Sequence, residues 1–173
     1  MGRGTTGAKA GAVAGILYGV VLSVLTEIIL FVDKSSIMSA LSVYAKDFST
    51  AGITLSASSL YNSEVAIAPV GLIIEGIIGG LILGAIFGLA VHRIPGRNDK
   101  VKGVAFGIIL WLLFDVLLGF LSRTEYGSTY YVLTVAAGLV SVAIYGYVLG
   151  ALFGKWCVEP SPQEQKDTFQ FNP

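Results

Sequence analysis

The chain has 173 residues, 54% of them hydrophobic and only 13% charged, with 22 glycines, a formal charge of zero and a mean hydropathy of +0.78. A soluble domain carries about twice that charged fraction, and here the apolar residues run unbroken, which excludes an ordinary soluble enzyme, a disordered chain and a nucleic-acid binder with its basic stripe. One Cys and one His leave no ligand set for zinc, iron–sulfur or haem, so no metal or other cofactor is expected in what reads as an integral membrane protein.

In chain order, residues 2–7 (Gly2-Arg-Gly4-Thr-Thr-Gly7) match a dinucleotide fingerprint by letter. No strand precedes them, so they are expected to be a flexible amino terminus. A membrane-crossing helix needs about 20 mainly apolar residues. Four stretches meet that requirement: 8–32, 66–91, 101–121 and 130–154. Residues 33–65 form a Ser-rich outer loop in which Ile37, Leu41, Tyr44 and Phe48 recur at helical spacing, predicting a short amphipathic helix. Tyr126, Tyr130 and Tyr131 suit one interfacial aromatic belt and Trp156 the other. Residues 158–173, with three prolines and alternating charges, read as a flexible tail.

Basic residues orient the chain. Arg3 and Lys9 precede the first span, Arg93, Arg97, Lys100 and Lys102 fill the second loop, and Lys155 and Lys166 follow the last span. The positive-inside bias predicts a multi-pass protein of the cell membrane with both termini cytoplasmic. Lone Cys157 then meets the reducing side.

The first and third spans share a pattern. One reads Gly15-Ile-Leu-Tyr-Gly19 and then Leu22, Leu25 and Glu27; the other reads Gly103-Val-Ala-Phe-Gly107 and then Leu110, Leu113 and Asp115. The second and fourth spans end alike, with Gly80, Gly84 and Gly88 matching Gly146, Gly150 and Gly154. This predicts an all-α fold of four transmembrane helices, built as two parallel repeats of one helical hairpin. Gly11, Gly15 and Gly19 and the glycines just named fall at or near four-residue spacing, as glycine-zipper packing requires.

Glu27, Glu75 and Asp115 are acids within these spans, each costing about 2.5–3.5 kcal/mol at a helix centre on insertion scales. Counted inward from the outer ends of the spans, each lies about six to ten residues deep, or ~9–15 Å, predicting one polar layer at one height. Glu27 is roughly 80° around its helix from Gly19, and Asp115 likewise from Gly107, so the acids are expected to face protein. Ser141 occupies the place equivalent to Glu75 and offers an acid a hydroxyl. Such a layer either glues helices together or exchanges a proton or hard cation.

No nucleophile stands beside a base in this sequence, and His92 beside Arg93 suits an interfacial helix end. A non-enzymatic accessory or structural subunit of a larger membrane assembly is the first expectation, with lipids and either other membrane subunits or further copies as partners and no nucleic acid. The alternative is a small proton- or cation-linked carrier or channel that acts as an oligomer through the intramembrane carboxylates. A membrane sensor using the outer loop is a third, weaker alternative.

Overall fold

A computed structural model describes residues 2–157, so the expected tail 158–173 lies outside the described residues. Among the described residues the regular structure is all helical: α1 (Arg3–Val32), α2 (Lys34–Thr50), α3 (Ala57–Ala90), α4 (Asp99–Trp111), a π-helical continuation of α4 (Leu112–Leu118), a short 3₁₀ turn (Gly119–Leu121), α5 (Ser122–Tyr126) and α6 (Ser128–Trp156). Four helices are long and apolar enough to cross a membrane: Arg3–Val32, Ala57–Ala90, Asp99–Leu121 and Ser128–Trp156.

Two of these begin earlier than the hydropathy of their residues suggests. α1 starts at Arg3, so the expected flexible amino terminus is helix instead, held where Gly4 meets Leu89 and Gly7 meets Gly84 and Gly88. α3 starts at Ala57, nine residues before the apolar run at Ala66, because Ser56 caps it by accepting the Ser59 N–H at 3.1 Å. The polar residues Ser58, Ser59, Asn62, Ser63 and Glu64 therefore belong to the helix, where hydropathy alone reads them as loop.

The helices pack in the order α3, α1, α6, α4: α1 lies along α3, α6 along α4, and α1 against α6 joins the two pairs. Between α1 and α3 the backbones nearly touch. A β-carbon on Gly11 would stand 2.7 Å from the Gly84 Cα, and one on Gly19 would stand 2.7 Å from the Ile73 Cα. Lipid supplies little hydrophobic drive between helices, so contact must come from close approach of this kind. Between α4 and α6, Gly103 is pressed on Gly146 and Gly150, and a β-carbon on Gly107 would stand 2.7 Å from the Val142 carbonyl oxygen. At the end of α6 one on Gly154 would stand 2.8 Å from Asp99 Oδ2.

At the end that carries the amino terminus, all four spans converge on a solid core of Ala10, Ala14, Phe87, Phe106, Leu149 and Phe153. Phe87 meets Phe106 at 5.5 Å and Phe153 at 5.4 Å between ring centroids. At the opposite end α2 covers the bundle. Ile37 of α2, Leu30 of α1 and Tyr61 of α3 form a second core with Val65 and Tyr130 packed on it. The Tyr61 hydroxyl donates to the Leu30 carbonyl at 3.0 Å, and the Lys34 ammonium lies 4.7 Å from the Tyr61 ring centroid. The amphipathic helix read from Ile37, Leu41 and Tyr44 is therefore present and runs to Thr50, though Phe48 remains exposed. Gly127, at φ 91°, adopts the backbone angle that turns α5 into α6.

Candidate functional site

Between the aromatic core at one end and the α2 cap at the other lies a chamber of about 270 Å³, lined by residues of α1, α3, α4 and its π-helical continuation, and α6. Its polar groups are Glu75 from α3, Asp115 from the π-helix, Tyr18 from α1 and Tyr145 from α6; Leu83, Leu110, Phe114 and Val142 supply much of the apolar wall. α3 and α4 meet below it at Phe87 and Phe106. At chamber level Glu75 and Phe114 are exposed along its edge, so it opens sideways into the apolar belt.

Glu75 reaches the chamber because of its neighbour. Gly76 is the residue pressed against Gly15, and one step along an α-helix turns about 100°, which carries Glu75 off the seam. Gly79, one turn on, has open space where a side chain would be and lines the same chamber.

Asp115 is placed by a break in helix geometry. Residues Leu112–Leu118 are π-helical, with the Gly119 N–H bonded five residues back to the Phe114 carbonyl. The wider turn is stabilised from α6: the Tyr131 hydroxyl donates to the Val116 carbonyl at 3.0 Å, and the Trp111 indole N–H donates to the Val135 carbonyl at 2.8 Å. Such π-turns occur often at functional sites. The Asp115 carboxylate lodges over Gly138, where an added β-carbon would collide with it. Tyr18 and Tyr145 form the back wall, edge to face with ring centroids 6.1 Å apart. Tyr145 is only 5% exposed, and its buried hydroxyl has no hydrogen-bond partner.

The single acidic layer expected from the sequence divides. The α1–α3 contacts run from Gly7 on Gly84 through Gly11 on Gly80 to Gly15 on Gly76, four residues at a time in opposite directions. Continuing that register sets Glu27 opposite about Glu64, roughly eleven residues or ~16 Å outward from Glu75. Glu27 is not among the chamber residues. It is half-buried, with Oε1 buried and unpartnered. Depth measured from the apolar edge of each run makes the three acids level, but α3 begins nine residues before its own apolar edge, which sets Glu75 deeper. Nor do all of them face protein, since Glu75 is exposed. Ser141 is wholly buried but donates to the Ala137 carbonyl of its own helix at 2.9 Å, not to an acid; its neighbour Val142 faces the chamber.

Sequence reasoning passed over Tyr18 and Tyr145. Tyr18 was a letter in the glycine pattern, and only the crossing of α1 over α6 gives it a polar role. Among the described residues no three His, Cys, Asp or Glu side chains converge as a metal site would require.

No curated protein and no solved structure matches the chain. One family model does, over residues 1–164. That match covers nearly the whole chain, which belongs to the family of unknown function DUF6789.

Proposed function

We propose that this protein is a non-enzymatic accessory subunit of a larger membrane assembly, seated in the cell membrane with both termini in the cytoplasm. On this reading its four spans are two copies of one hairpin, each closed by a glycine zipper, and the α2 cap lies outside. The observation that carries the reading is Glu75, an exposed carboxyl group in the middle of a span otherwise apolar from Ala66 to Ala90. Hydrocarbon solvates such a group poorly, so a protein surface beside α3 is its natural cover. The apolar faces flanking it, Ile74 at 52% and Ile78 at 54% exposed, suit helix contact equally.

Purification under native conditions in mild detergent tests this. Other membrane proteins should co-purify in fixed ratio, and Glu75→Gln should weaken that association. A clean, monodisperse species containing this chain alone would overturn the proposal.

The chamber favours a second reading, a proton- or cation-linked carrier, because it brings two acids into one laterally open space. Reconstituted liposomes distinguish it: cation or proton flux should fall in Glu75→Gln and Asp115→Asn. Flux that is absent, or equal in wild type and variants, removes that reading.

A further inference from the structure

We infer that the chamber between α3 and α4 is a binding site for a small hydrophobic organic cation, a protonated alkylamine whose ammonium sits between Glu75 and Asp115. The site is built by the four helices of one chain and shares Glu75 with the surface proposed above for a partner subunit, so ligand titration of the isolated chain tests it while co-purification tests that surface. If the carrier reading holds, it names the cargo class.

The wall chemistry selects the ligand. Two carboxyl groups exclude an anion and favour a positive charge. A hard metal ion takes six or more oxygen ligands, and no third acid, His or Cys among the described residues joins the two. The rest of the wall is aromatic and aliphatic: the rings of Tyr18, Tyr145 and Phe114, with Leu83 and Leu110. Aromatic faces attract ammonium groups, most strongly where water is excluded, and the edge-to-face pair Tyr18 and Tyr145 forms part of that wall. Tyr145 lines the chamber, and its hydroxyl, on a residue 5% exposed, has no hydrogen-bond partner, which leaves an unsatisfied polar group in the back wall. A buried polar group left unpaired is costly, so its orphan state points to a missing ligand. Size agrees, since about 270 Å³ equals the liquid volume of roughly nine waters, enough for a six-carbon amine. The sideways opening lets such an amphiphile enter from the lipid with its alkyl chain trailing into the apolar belt.

The test uses the full chain in nanodiscs of zwitterionic lipid, titrated calorimetrically with hexylammonium and with hexanol, empty nanodiscs correcting for partition. The expected result is saturable binding of hexylammonium, more than about tenfold tighter than hexanol. That binding should weaken at least about tenfold in Glu75→Gln and in Asp115→Asn, and stay within about twofold in Glu27→Gln, which lies outside the chamber. Because Asp115 is wedged against Gly138, its variant could fail to fold; Glu75→Gln, at the exposed edge, keeps the test decisive. Equal binding of hexanol and hexylammonium, or wild-type affinity in Glu75→Gln, overturns the inference, as does the absence of saturable binding.

Discussion

In the α1–α3 pair, backbone meets backbone at successive glycine steps, from Gly7 on Gly84 to Gly19 on Ile73. The α4–α6 pair keeps that approach only toward the aromatic core, at Gly103 and Gly107, and beyond them gives way to the π-helix and the lodged Asp115. The register also differs. Gly15 lies on the Gly76 carbonyl, whereas Gly103, its counterpart in the sequence pattern, lies on that of Gly146, the counterpart of Gly80. The second pair is thus slid by one helical turn, about 5.4 Å, which draws Asp115 toward the core relative to Glu27. Two acids in matching places of a sequence pattern therefore end at different heights. The tightly sealed pair supplies a rigid wall bearing Glu75, and the looser pair supplies the cavity that faces it.

Substitutions that add bulk break this contrast most sharply. Gly80→Val places side-chain atoms where the Gly11 carbonyl and the Gly15 Cα already sit, and backbone cannot yield as a side chain can. A loss of about 3 kcal/mol or more, or failure to fold, is expected. Gly79→Ala, one residue away with open space, should change stability by less than about 0.5 kcal/mol. Thermal denaturation of the two purified variants in one detergent makes the comparison.

A smaller effect sharpens the account of the second pair. Gly138→Ala drives a methyl group into the Asp115 carboxylate and should cost about 1–3 kcal/mol. Much of that cost should vanish in the Gly138→Ala, Asp115→Ala double variant, giving a coupling energy of about 0.5–3 kcal/mol. Additive losses would mean that the acid does not rest there.

The smallest effect lies in α5, beside the cap. Burial first, then Tyr44, Tyr130 and Glu125, push the Tyr126 phenol from 10.0 up to about 12. The folded value exceeds the unfolded one, so the stabilisation is fully present below pH 10 and is lost as pH rises from 10 toward about 12. Melting curves of wild type and Tyr126→Phe should converge as alkali is added through that window.

How far the sequence reached follows from what each signal encodes. Long apolar runs report burial in lipid, so four spanning helices were legible, as was the amphipathic period of Ile37, Leu41 and Tyr44. Hydropathy is blind to a polar first turn, and the cap at Ser56 was available as a signal only to a reader looking for Ser three residues before Ser59. Glu75 and Asp115 stood out as charges in apolar runs. Their meeting did not, because it depends on inter-helix register, which periodicity within one helix cannot carry. The π-turn had no signature either: Leu-Leu-Phe-Asp-Val-Leu-Leu is as good an α-helix as any, and only the bonds to α6, from Tyr131 to the Val116 carbonyl and from Trp111 to the Val135 carbonyl, favour the wider winding.

The central claim is that Glu75 and Asp115 share one chamber while Glu27 lies turns away. On a Cys157→Ser background, the Glu75→Cys, Asp115→Cys and Glu27→Cys, Glu75→Cys double variants can be treated with one short bifunctional thiol reagent in membranes. The account predicts intramolecular cross-linking in the first and none in the second. Efficient cross-linking between positions 27 and 75, with positions 75 and 115 unlinked, would contradict it.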